Sequence, residues 1–341
     1  MAAIWAVRTG LAATVVGLLA ASPVIDPLLQ QLWTWLRGQP WYSSPYFETL
    51  QVPIVSLGLY AAFHFLAIAF PGADMRGEAD QREHGPLAPQ GRSPSHAATD
   101  FLLYTVPLLV LDTLTRKHYP GWVSREEWAS QPYVSLQTER LLPEAGPGVW
   151  DLAVKPVAAL VLYDFAFYFL HNAFHRVQAL RGVHFVHHDH AKLSWTTTNQ
   201  LTTVERTVLV LLANETLKLV QAHPLSRNVF VVLFLGALAE SHCNLDFAFG
   251  VDKIVPLYTG ARAHVTHHDR FGCNFAPFFS HMDALFATAA PCATPRVDFE
   301  LGDGTIRSRP MGKRAGSPRS WFWDGLLGLP VLGQRSMAAP S

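Results

Sequence analysis

Residues 52–70 read VPIVSLGLYAAFHFLAIAF, nineteen positions without a charge. A run of roughly 20 apolar residues is long enough to cross a bilayer as a helix. Lipid accepts only structures that satisfy every backbone N–H and C=O internally, which means helices or closed barrels. Strand-like alternation is weak throughout the chain, so the helix is the reading that fits. Residues 152–170 form a second long run, interrupted by Lys155 and Asp164, and shorter or mixed runs lie at 101–112, 204–222 and 229–241. One such run could hide in a soluble core; four or five in 341 residues point to a membrane protein. Composition agrees, since half the residues are hydrophobic and 15% are charged, against roughly 25% in an average soluble domain.

The N-terminal stretch, 4–24, carries Arg8 and then an Ala/Gly/Leu-rich run ending in AASP. It reads as a retained helix rather than a cleaved leader. An aromatic connector, LWTWLRGQPWYSSPYF, follows, with Trp and Tyr suited to a membrane interface. Residues 1–99 thus hold two membrane helices and a polar loop, 100–290 hold the remaining helices, and 291–341 form a tail rich in Pro, Gly and Ser. The tail carries seven Lys/Arg against four Asp/Glu, which favours the cytosolic side. The 204–222 run, broken by Asn214, Glu215 and Lys218, reads as an interfacial helix. The expected fold is all-α: an integral membrane bundle of about four spans with a cytosolic helical cap.

Positive and negative side chains balance at 26 each, so no nucleic-acid footprint is visible. The three cysteines, Cys243, Cys273 and Cys292, form no disulfide framework and no CxxC pair.

The chemistry is concentrated in histidine. Of sixteen histidines, eight fall within HNAFH at 171–175, HFVHH at 184–188 and HVTHH at 264–268. Residues four apart on a helix share a face, so His171 pairs with His175, His184 with His188 and His264 with His268, while His187 and His267 lie at the edges of those faces. Asp164, seven residues before His171, shares its face and could accept a ligating ring's second N–H. Imidazole suits iron, copper, zinc and nickel. A structural zinc needs four ligands, so eight histidines are too many for one ion and suit two. Two redox metals together can split dioxygen, which points to a non-haem di-iron centre. The alternative is a membrane zinc transporter or a metal-binding protein without redox turnover. His190 and His281 lie near the clusters but off their spacing. His64 reads as helix packing, His223 as a surface residue, and His84, His96 and His118 as solvated. The WTTTN segment at 195–199 is a candidate substrate contact.

In the order HxxxH, HxxHH, HxxHH, these boxes resemble the fatty acid hydroxylase superfamily, also called the sterol desaturase family. The stretch NFAPFFSHMDALFAT at 274–288 extends the likeness, which covers about 150–290. Spacing alone leaves His242 open; the resemblance implies it as a ninth ligand, with Asp246 on its face as an outer partner. Two departures stand out. Of a His-Pro-x-Glu element after the second box only Glu205 remains, and Arg176 replaces a further histidine after the first box. The resemblance implies a di-iron oxygenase of the endoplasmic reticulum membrane with its boxes facing the cytosol. It would hydroxylate or desaturate a lipid (sterol, sphingoid or fatty acyl), with O2 and electrons from NAD(P)H through cytochrome b5 and its reductase. An aldehyde-processing member of the superfamily is a further possibility. No GxGxxG, Walker A sequence or HPGG is present, so the electron donor is expected to be a separate protein.

Overall fold

The structure, a computed structural model, describes residues 2–75, 94–115, 132, 134–190, 193–290, 296–300 and 306–310. His84, His118 and Cys292 lie outside the described residues.

Helices α1 (Ala2–Ala20), α2 (Ser22–Arg37), the single turn α3 (Pro40–Ser43) and α4 (Phe47–Ala69) open the chain, followed by α5 (Pro94–Leu114). The short α6 (Val149–Ala153) leads into α7 (Lys155–Arg176), and α8 (Gln178–His188), α9 (Thr203–Leu219) and α10 (Pro224–His242) follow. Three shorter helices complete this region: α11 (Val251–Ile254), α12 (Gly260–Arg270) and α13 (His281–Leu285). Among the described residues four segments are long and apolar enough to cross a membrane: Ala3–Ala20, Phe47–Ala69, Val149–Arg176 and Pro224–His242. The fold is the expected helical membrane bundle. Among the described residues of the tail, β1 (Arg296–Glu300) and β2 (Ile306–Pro310) form an antiparallel hairpin, outside the all-α expectation, that pairs Arg296 with Pro310 and Glu300 with Ile306.

The spans are apolar on both sides for different reasons. Ile54, Leu57 and Phe65 of α4 and Phe165 and Phe169 of α7 are exposed, as lipid-facing side chains must be. The inward faces meet in two clusters. One joins Leu160, Tyr163 and Phe167 of α7 to Leu217 of α9, Phe230 of α10 and Phe278. The other joins Phe63 and Ala67 of α4 to Ala239 of α10 and Ala261 of α12. Helix α10 therefore packs between α4, α7 and α12, and this central position brings the ends of α7, α8, α10 and α12 together.

Local signals fix those ends. Thr202 caps α9: its hydroxyl accepts from Glu205 N–H at 3.2 Å and donates to Val183 C=O at 2.8 Å, tying α9 to α8. Gly260 opens α12 at φ +62°, where an added Cβ would stand 3.0 Å from both Asp252 Cβ and Glu240 Oε1. His223, expected at the surface, is instead half-buried as the N-cap of α10 and packs against Trp33.

Candidate metal centre

All nine predicted ligand histidines converge. The ring nitrogens of His171, His175, His184, His188 and His267 form one group, and those of His187, His242, His264 and His268 form a second; within each, the candidate ligand atoms lie within 4.8 Å of one another. Each HxxHH box serves both groups. The second box sends its i,i+4 pair, His184 and His188, to the first group and His187 to the second. The third box sends His264 and His268 to the second group and His267 to the first. Because i+3 and i+4 point about 100° apart on a helix of 3.6 residues per turn, one turn of helix can face two neighbouring centres. Helix α7 supplies His171 and His175 to the first group, and the end of α10 supplies His242 to the second.

The hydrogen bonds identify the nitrogens that face inward. His171 Nδ1 lies 2.7 Å from Phe275 C=O, His267 Nδ1 2.7 Å from Cys273 C=O and His242 Nδ1 2.8 Å from Leu238 C=O. A carbonyl can only accept, so each Nδ1 carries the proton and each neutral ring leaves Nε2 as a bare lone pair. These Nε2 atoms crowd together: His171 to His184 at 3.0 Å, His188 to His184 at 3.0 Å, His264 to His242 at 3.0 Å and His268 to His264 at 3.0 Å. His267 Nε2 is buried without a protein partner. Lone pairs aimed at one another in a dry site are what a cation would relieve. Nine neutral imidazoles, with no thiolate among them, fit first-row transition metals.

Burial keeps the rings unprotonated. It lowers His184 to about 2 and His267 to about 3, and neighbouring imidazoles add to the shift. His187, His188, His264 and His268 are also lowered, burial being the first cause in each. A metal would thus meet lone pairs without displacing protons.

Glu205 is the residue whose role the sequence did not expose. Its Oε1 lies 2.6 Å from His184 Nδ1, and both side chains are buried. Burial pushes its carboxyl up to about 9, opposed by Arg206. The only signal was its place as the remnant of a family element, 21 positions from its partner. Asp283 has a similar outer role. Its carboxylate accepts from Phe275 N–H at 2.8 Å and Ala276 N–H at 2.9 Å, fixing the turn whose carbonyl receives the His171 proton.

The two carboxylates expected beside ligating rings lie elsewhere. Asp164 Oδ1 accepts from Phe278 N–H at 2.8 Å and Phe279 N–H at 3.1 Å; seven residues put it about 10 Å below His171 along α7, so a shared face does not bring contact. Asp246 pairs with Lys253 and with Arg262; α10 ends at His242, so the i+4 relation does not carry over. His190 joins neither group, but its Nε2 lies 3.0 Å from His268 Nδ1. His281 lies 3.9 Å from Asp164, away from both groups, and His64 is exposed. In the 195–199 segment, Asn199 donates to Tyr60 OH of α4 at 2.6 Å.

The pattern of the fatty acid hydroxylase family matches residues 156–288. The chain is 28% identical over 265 residues to cholesterol 25-hydroxylase of Rattus norvegicus, covering 76% of this chain and 82% of the relative. It is 28% identical over 282 residues to cholesterol 25-hydroxylase-like protein 2 of Danio rerio, covering 80% and 93%. It is 30% identical over 171 residues to cholesterol 25-hydroxylase of Homo sapiens, covering 49% and 60%. No solved structure matches the chain.

Proposed function

We propose that this chain, which belongs to the fatty acid hydroxylase superfamily, hydroxylates a sterol at a di-iron centre held by His171, His175, His184, His187, His188, His242, His264, His267 and His268. The chain is an oxygen-dependent lipid oxidoreductase of the membrane, and this sets aside the transporter reading. The observation that supports the finer reading is the convergence of Nε2 lone pairs from four helix ends, with the opposite nitrogens of His171, His242 and His267 committed to carbonyls.

Bound there, a pair of irons would supply the activation of dioxygen needed to oxidise an unactivated C–H bond. The protein's own contributions are positional. The three carbonyls hold His171, His242 and His267 in one tautomer and orientation, and Glu205 orients the ring of His184. Phe167, Phe174 and Phe275 wall the first group, with ring centroids 4.9 Å from His171, 5.5 Å from His184 and 5.4 Å from His175 respectively. Such a wall excludes water and leaves an apolar approach for a lipid. His171, His175 and His242 lie towards the ends of two apolar spans, where a substrate can enter from the bilayer and a soluble donor can dock. We assign that donor as cytochrome b5 with its reductase, on the cytosolic face of the endoplasmic reticulum.

Protein purified in detergent tests this reading. Two irons per chain, and conversion of a sterol to a hydroxysterol that needs both O2 and the donor, are the expected result. Bound zinc with no oxygen consumption would overturn it.

A further inference from the structure

The wall around the first histidine group has one member that is not buried. Phe271 is 46% exposed, yet its ring centroid lies 4.8 Å from that of His188. It sits just past the end of α12, with its N–H donated to His267 C=O at 2.7 Å. Its backbone is left-handed, φ 59° and ψ −17°. That position after a helix is the one glycine favours, because a Cβ is strained there. Glycine is the next residue, Gly272, so the chain places a large aromatic ring in the strained position with the tolerant residue one step away. Of the other non-glycine residues at positive φ, Asn244 and Asn274 are of the type that tolerates it; Phe271, like Gln221, Leu257 and Ala287, is not. Strain of this kind persists where surrounding structure enforces it, commonly beside a functional site.

What the strain secures is cover. Phe275 lies against His171, His175 and His267 and is 1% exposed. Of the four buried rings in the first group His188 is the most exposed, and Phe271 is the non-histidine ring packed against it. A glycine at 271 would let α12 end without strain but would leave this edge open.

We propose that Phe271 is a shielding residue, held in a strained turn so that its ring closes the His188 edge of the metal centre to water and solutes. This rests on the metal-binding reading of the nine histidines. The experiment uses the full chain, loaded with iron, and two substitutions. Phe271→Gly removes ring and strain together; Phe271→Leu keeps the strain and part of the cover. The Gly variant is expected to melt no lower than the parent when metal-free, to load the same amount of iron, and to lose it severalfold faster to a water-soluble ferrous chelator. The Leu variant is expected to melt at or below the parent and to lose iron at a rate nearer the parent's. Equal chelator rates for Gly and parent would overturn the proposal. So would a clear fall in the melting point of Gly, or failure of both variants to load iron, since the ring would then be a packing element. A parent chain that takes up no iron would overturn the metal reading itself, and that result is seen without any substitution.

Discussion

His184 Nδ1 lies 2.6 Å from Glu205 Oε1, in a contact that links α8 to the first turn of α9 and leaves His184 Nε2 directed at His171 and His188. Thr202 and Glu205 have the spacing of a helix-capping box, in which the glutamate would turn back to its own helix start. Thr202 does cap the helix, but the Glu205 side chain crosses to His184 instead. Glu205→Gln keeps a side-chain oxygen beside Nδ1, while Glu205→Ala leaves that nitrogen without a partner in a dry site. Loss of such outer partners typically costs about 10–100-fold in metal affinity. The expected order in a metal titration is parent, then Gln, then Ala, with Ala at the weak end of that range. An Ala variant that binds metal like the parent would show that the contact does not serve the centre.

The crossed assignment of the two HxxHH boxes has a consequence for stoichiometry. His267 belongs with α7 and α8 in the first group, although its neighbours His264 and His268 belong to the second. His187 is the reverse case. His267→Ala leaves all four members of the second group untouched, and His187→Ala leaves all five members of the first. Each variant should therefore weaken the site of one ion and leave that of the other intact: His187→Ala, which leaves three rings in the second group, is expected to lose more metal than His267→Ala, which leaves four in the first, and neither is expected to lose all of it. Metal analysis of purified protein reads this directly. Complete loss of metal in both variants would mean that the nine rings form one indivisible cage.

Asp164 is a buried carboxylate with a structural task. It receives the amide protons of Phe278 and Phe279, and so joins the middle of α7 to the turn after Asn274 and Phe275. Asp164→Ala would strand two buried donors, at about 1–3 kcal/mol each. Asp164→Asn keeps a carbonyl oxygen in place. The expected result is a large fall in melting temperature for Ala and a smaller one for Asn, with metal content per folded chain unchanged in both. Loss of metal from the well-folded Asn variant would restore Asp164 to the centre.

The contrast between these residues shows how far the sequence reads. Histidines four apart on one helix share a face whatever the rest of the fold does, so the three boxes and their helical setting were legible. The spans were legible for a similar reason, because lipid imposes the same demand on every segment. Axial distance was not: Asp164 shares a face with His171 but sits two turns away. Nor was the helix end at His242, which removes Asp246 from the face it would otherwise occupy. The carbonyls of Leu238, Cys273 and Phe275 carry no side-chain signature, so the partners that fix three tautomers leave no mark in the sequence. The partition of each box between two centres depends on the mutual placement of four helices, which spacing within any one of them does not encode.

His223 offers a test of acid sensitivity away from the metal centre. As N-cap of α10 its Nδ1 accepts from Leu225 N–H at 3.1 Å, while Nε2 donates to Ala145 C=O at 3.1 Å. Only one neutral tautomer makes both bonds; a proton on Nδ1 would oppose the Leu225 donor and leave the first turn of α10 uncapped. Burial holds the ring down to about 4, from an ordinary 6.5. Between those values the unfolded chain binds more protons than the folded one, so this contribution is fully present above about pH 6.5 and is lost as pH falls towards 4. Replacing His223 with Asn supplies a capping side chain that does not titrate in this range. Melting of the detergent-solubilised chain at about pH 7.5 and about pH 5 should show a smaller acid-induced drop for His223→Asn than for the parent. An identical drop in both would place the acid-sensitive group elsewhere and leave His223 as a cap that never takes up its second proton.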